Sequence, residues 1–184
     1  ALVSILAHTG DPARYDQFSE RVRTAKTPQE ERRYLFSLAG FRRPALLERT
    51  LARTISGDIR TQDAPFLVSA LLGNVYGREQ AWAFVKSNWE TMDRLFPKNG
   101  LRRMCGGVVG LAIPELERDV RDFFASRKID LGGKTLEQYL EHLHIAVTLR
   151  ERDGASLRNY LNSLKLALAQ EQESRRTFQG GTTR

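Results

Sequence analysis

Few residue types in this chain can do chemistry, and their spacing limits what each can do. The histidines are His8, His142 and His144. A hydrolytic zinc site on one helix needs H-E-x-x-H, which sets two imidazoles on one face and a glutamate beside the metal-bound water. In Glu141-His142-Leu143-His144 the imidazoles stand two residues apart, roughly 200° around a helix, so they cannot chelate one ion together. They read as surface or interface side chains, and no metal site is expected here. Cys105 is the one cysteine; it excludes an intrachain disulfide and, with only Arg102 and Arg103 nearby in sequence, reads as a buried helical thiol. Gly106-Gly107-Val108-Val109-Gly110 lacks the Lys-Ser/Thr of a phosphate loop. If helical, its three glycines cost about 3 kcal/mol relative to alanine, which close helix approach or a cavity wall should offset. Trp82, Phe84 and Trp89 could stack nucleic-acid bases if exposed. But Trp82, Val85, Trp89 and Met92 share one helical face, and the tryptophans are expected to anchor the core.

The elements that would position these residues follow from composition and pattern. A chain of 184 residues suits one domain or a compact piece of a larger protein. The net charge of +7 comes from 29 basic and 22 acidic residues. Arginines often sit beside acids, as in Glu48-Arg49 and Glu117-Arg118-Asp119, which reads as solvated helix faces rather than an anion-binding stripe. No apolar run is long enough to span a membrane. The opening ALVSILAHTG lacks a basic leader and reads as a helix; without an initiator Met, a fragment is expected.

Apolar residues recur every three or four positions with no alternating strand run, so the expected fold is all-α, without a sheet. Residues 1–9 read as a helix, apolar at Leu2, Val3, Ile5 and Leu6 and expected to pack on helices upstream. Asp11-Pro12 opens a helix with Tyr15, Phe18 and Val22 inside. Thr27-Pro28-Gln29-Glu30 is a capping box, and Pro44 opens a helix that ends at Gly57. Between Gln62 and Trp89 lies an αα-hairpin. Asp63 stands at its N-cap, Pro65 in the first turn, and Gly73-Asn74 at an end tolerant of a left-handed cap. Pro97 ends the second arm, Pro114 starts a helix with Val120, Phe123 and Phe124, and 129–134 is a loop. Thr135 with Gln138 caps a helix that Gly154 breaks. Ser156 caps a last one carrying Leu157, Tyr160, Leu161, Leu164 and Leu168. Residues 1–172 thus read as an irregular α-solenoid of antiparallel helix pairs, HEAT- or armadillo-like, of about five hairpins. Residues 173–184 are expected to be a disordered tail.

The ordered set Gln62-Asp63, Asn74, Gly77-Arg78, Ala81-Trp82-x-Phe84 and Asn88-Trp89 resembles the C-terminal helical domain of the zinc aminopeptidases. That gluzincin family contains aminopeptidase N, the puromycin-sensitive enzyme and the endoplasmic-reticulum aminopeptidases. Gly10-Asp11, Tyr15, Glu31-Arg32, Leu35, Leu38-Ala39, Val120 and Phe123-Phe124 fit at the expected distances, so the resemblance covers roughly residues 10–162. It implies a bowl of helices, noncatalytic alone, that packs on the catalytic domain of the same polypeptide, limits access to the active site and helps position peptide substrate. Zinc is then expected in that catalytic domain and no cofactor in this chain. The resemblance also implies a basic residue facing the cavity, which falls on Arg103, or on Arg102 if the register shifts by one; Asp63, Trp82, Phe84 and Trp89 are the expected structural anchors. An autonomous helical-repeat scaffold for a protein partner is the second reading, and a basic nucleic-acid-binding module the third. Neither nucleic acid nor membrane is an expected partner, and the expected location is cytoplasmic.

Overall fold

Proline sets where most of these helices begin. The computed structural model describes residues 2–127, 129 and 131–180, with side chains to residue 172. Its helices are α1 (Leu2–His8), α2 (Pro12–Thr24), α3 (Pro28–Ser37), α4 (Pro44–Arg53), α5 (Ala64–Leu72), α6 (Arg78–Leu95), α7 (Lys98–Gly106), α8 (Pro114–Arg127) and α9 (Thr135–Gly180). Short 3₁₀ turns follow α3 and α7, at Leu38–Gly40 and Gly107–Gly110. The fold is all-α, with no strand among the described residues. Helices α2, α3, α4 and α8 start at a proline, whose missing N–H would have been unpaired there anyway. The Asp11 carboxylate accepts the Arg14 N–H at 2.9 Å, and the Thr27 hydroxyl accepts that of Glu30 at 3.2 Å. Glu30 reaches back to the Lys26 N–H at 3.1 Å, one residue beyond the donor a standard box would use.

Five local expectations are corrected. Asp63 occupies the N-cap of α5, but its backbone is αR and its carboxylate makes no cap bond. Gly73 ends that helix in right-handed conformation at φ −80°, whereas the left-handed glycines among the described residues are Gly57, Gly132 and Gly133. Gly154 does not break α9, which runs unbroken from Thr135 to Gly180. One glycine costs only about 1 kcal/mol against alanine in a helix, and the good helix formers around it hold the turn. Ser156 is therefore no cap: its hydroxyl donates to the Asp153 carbonyl one turn back. Thr135 likewise begins the helix instead of capping it, and the Gln138 N–H goes to the Lys134 carbonyl.

The core sits around α5. Ala64, Pro65, Leu67, Val68, Leu71 and Leu72 are buried on nearly every side of this short helix, because α3, α4, α6 and α7 all pack on it. A helix apolar all round needs such a surround. Helix α6 buries one stripe, Ala81, Trp82, Val85, Trp89 and Met92. At Asn88 its backbone leaves helical geometry (φ −115°, ψ 15°) while the side-chain amide donates to the Phe84 carbonyl at 2.9 Å, which redirects the turn carrying Trp89. The chain divides into two units, Ala1–Ala146 and Val147–Arg184. The tail expected at 173–184 lies outside the residues whose side chains are described.

Candidate functional site

Two kinds of residue stand out in the first unit: polar groups that tie one helix to another, and the arginine pair of α7. Asp63 is 2% exposed, and its Oδ1 accepts the Arg32 guanidinium of α3 at 2.7 Å. A second pair, Arg60 to Glu31 at 2.7 Å, runs alongside. A buried carboxylate is tolerable only with such a partner. Asn74 uses both ends of its amide. Nδ2 donates to the carbonyls of Ala39 and Phe41 at 2.7 and 2.8 Å, and Oδ1 accepts the Tyr76 N–H at 2.9 Å. The 3₁₀ turn after α3 is thus bonded to the end of α5.

Gly77 and Arg78 act as a unit. A Cβ at Gly77 would stand 2.3 Å from Leu47 Cδ1, so glycine lets α6 start against α4. Arg78, only 9% exposed, donates to the Gly110 carbonyl at 3.0 Å. That carbonyl ends the glycine-rich turn after α7, where the glycines permit backbone-to-backbone approach. A Cβ at Gly107 would lie 2.8 Å from Ser69 Cα, and one at Gly110 2.6 Å from Gly73 Cα. Close helix approach therefore accounts for the run, and because α7 ends at Gly106 the turn is 3₁₀ and bears less of the helical glycine penalty.

Trp82 and Trp89 are buried, at 2% and 5% exposure, against Phe123 and Phe124 of α8, with edge-on ring contacts of 5.1 and 5.4 Å to Phe123. They are not a stacking platform for bases. Phe84 is half-buried on the flank of this cluster's helix. The indole N–H of Trp82 donates to Asp119 Oδ2 at 2.7 Å, an oxygen that also takes the Lys86 ammonium. Partial burial pushes the Asp119 carboxyl up, but the hydrogen bonds from Lys86 and Trp82 and the charge of Lys86 outweigh it. The group is held below the usual carboxylate range.

Arg102 and Arg103 are both exposed, and they face different hollows. Arg102 borders a cleft of about 600 Å³ with Trp89, Glu90, Asp93 and Arg127. Arg103 borders one of about 390 Å³ with Arg32, Gln62, Phe66 and Asn99, its guanidinium 5.5 Å from the Phe66 ring centre. Asp63 compensates Arg32 in that second hollow, while no carboxylate pairs with Arg103 among the described residues. His8, His144 and Cys105 are each engaged elsewhere, and His142 is exposed. His8 meets the edge of Tyr76, with ring centres 5.8 Å apart, and His144 Nδ1 lies 3.0 Å from Glu117 Oε1. Cys105 is 2% exposed, and burial pushes its thiol up to about 12, far from a nucleophile. Among the described residues no three His, Cys, Asp or Glu side chains gather as a metal site would require. Arg78 as a buried tie and Asp119 as a half-buried one were not expected. Nothing local in sequence marks a buried arginine or an acid that meets a residue 37 positions away.

An all-helical unit whose polar side chains bridge its helices is of the class of helical packing domains. Comparison with known proteins makes this particular. Residues 1–145 match the ERAP1-like C-terminal domain, and the chain belongs to that family. Among curated relatives, Aminopeptidase M1 of Arabidopsis thaliana is 30% identical over 141 residues, covering 76% of this chain and 16% of its own length. Leucyl aminopeptidase of Saccharolobus solfataricus is 30% identical over 132 residues, covering 67% of this chain and 17% of its own length. Aminopeptidase A of Gloydius brevicauda is 29% identical over 131 residues, covering 70% and 14%. The chain thus spans about one-sixth of the length of the curated relatives it matches.

Proposed function

We propose that this chain is the noncatalytic C-terminal domain of a zinc-dependent aminopeptidase. In this reading it packs on the catalytic domain, helps enclose the active site and positions peptide substrate. The observation that carries the reading is the family match across residues 1–145, from a chain that covers one-sixth of relatives named as aminopeptidases. The residues of the ordered pattern support it as a domain that must hold shape: Asp63, Asn74, Gly77, Arg78 and Trp82 each join two elements. His8 packs on Tyr76 and His144 beside Glu117, and among the described residues no three His, Cys, Asp or Glu side chains gather. In this reading the metal and the reacting atoms belong to the catalytic domain.

Arg103 is the residue assigned to substrate, with Arg102 second. An exposed guanidinium without a carboxylate partner, braced on Phe66 in a recessed hollow, is suited to a peptide carboxylate or an acidic side chain. The test is Arg103→Ala in the longer enzyme. It should raise KM for peptides by about tenfold, about 1.4 kcal/mol, and leave zinc content unchanged. Unchanged kinetics on acidic, neutral and basic peptides, in Arg102→Ala as well as Arg103→Ala, would remove the role.

A further inference from the structure

The second unit presents an apolar surface unrelated to the substrate reading. On α9, Leu157, Leu161, Leu164 and Leu168 are exposed at 56%, 47%, 41% and 58%. Their spacing of four, three and four residues puts them on one narrow stripe of the helix, the seam of a coiled coil with Leu161 and Leu168 at a and Leu157 and Leu164 at d. The family match ends at residue 145, before this stripe begins. An exposed apolar seam of this kind calls for a partner.

We propose that this seam pairs with the same seam of a second copy of the chain, side by side and parallel. Charge on the flanks selects both the occupant and the direction. Asp153 and Tyr160 lie at g positions, Arg158 and Lys165 at e positions. In a parallel pair each g residue meets the e residue five positions further along the other helix. Asp153 then meets Arg158 of the second copy, and Tyr160 meets Lys165, a cation on an aromatic face. An antiparallel pair sets e against e, and Arg158 and Lys165 would oppose each other. Asp153 pairs in its own helix with Arg152, at 2.8 Å and well exposed, an arrangement weak enough to be exchanged. The seam is bounded upstream by Gly154 at a and Arg150 at d, which leave a gap and a charge in place of leucine. Two heptads make a short contact, so the dimer is weak and its population rises with concentration.

Sedimentation of the full 184-residue chain across a concentration series tests this. Self-association to a dimer is expected, weakened at least about tenfold by Leu161→Glu, whose side chain faces solvent in the single chain and leaves its fold intact by circular dichroism. Arg158→Asp should also weaken it, and Asp153→Arg added to Arg158→Asp should restore it. Under mild oxidation Leu161→Cys should form an interchain disulfide, since a positions face each other only in the parallel pair; the wild type, with buried Cys105, is the control. A chain monomeric at every concentration overturns the proposal, as does a dimer indifferent to Leu161→Glu. A dimer in which Leu161→Cys fails to crosslink overturns the parallel arrangement.

Discussion

Replacing Gly110 by alanine is a direct probe of the ties that hold α7 to α5. The added Cβ would stand 2.6 Å from Gly73 Cα, 2.8 Å from the Leu72 carbonyl oxygen and 3.2 Å from Gly73 N. All three are backbone atoms, so no side chain can swing aside. Carbon atoms rest about 3.5–4.0 Å apart, so the turn and the end of α5 must separate by roughly 1 Å. Overpacking of this kind costs about 1–3 kcal/mol. The shift also strains the Arg78 bond to the Gly110 carbonyl, of a kind worth about 1.5–3 kcal/mol. Because Gly110 has ordinary negative φ, alanine recovers about 0.4–1 kcal/mol by restricting the unfolded chain. The net expectation is a loss of about 2–4 kcal/mol. Urea denaturation followed by tryptophan fluorescence measures it, since Trp82 and Trp89 lie in the same unit. Gly154→Ala is the matched control: its Cβ meets nothing closer than Arg150 Cγ at 3.8 Å, and it should stabilise α9 by up to about 1 kcal/mol. A change below about 0.5 kcal/mol at Gly110 would refute the close-packing argument, since surface substitutions alone fall in that range.

Trp82→Ala should cost about 3–5 kcal/mol in the same experiment, and Trp82→Phe less, its remaining loss reporting the missing indole bond to Asp119 and the smaller ring. Asp119 is held below the usual carboxylate range, so its stabilisation is present above the unfolded pKa and lost as pH falls through the folded one. Asp119→Asn should therefore shallow the decline in stability below about pH 4, by a small amount because the carboxylate is 41% exposed. Cys105 should resist a thiol reagent at neutral pH until the protein unfolds. Its folded thiol keeps its proton to about 12 while the unfolded one ionises near 9.0, so stability should fall as pH rises between those values. Equal reaction rates for native and unfolded protein would contradict that burial.

Helix starts were legible because Pro12, Pro28, Pro44 and Pro114 carry their own geometric signal, readable without knowing the rest of the fold. Side-chain destinations were less so. Asp63 has the type and place of a cap, yet Arg32, distant in sequence, offers a stronger partner than a backbone N–H. Gly73 has the type of a left-handed terminus, yet its φ is −80° and the close approach at its Cα depends on the missing Cβ of Gly110, a partner 37 residues on. The glycine run was legible as a packing feature without its partner. Gly154 misled because a lone glycine is a modest penalty that a long helix absorbs. For the arginine pair, the two candidates came from the family resemblance, and the fold separates them into different hollows, Arg103 beside Phe66 and Arg102 beside Trp89.

The central claim concerns what surrounds this domain in the native polypeptide. Antibodies against the chain can capture that polypeptide from its source for intact mass, zinc content and hydrolysis of an amino-acyl reporter. The account predicts one polypeptide several times longer than 184 residues, holding one zinc and releasing N-terminal residues, with this sequence toward its C-terminus. A captured species of 20.9 kDa with neither zinc nor reporter hydrolysis would contradict it.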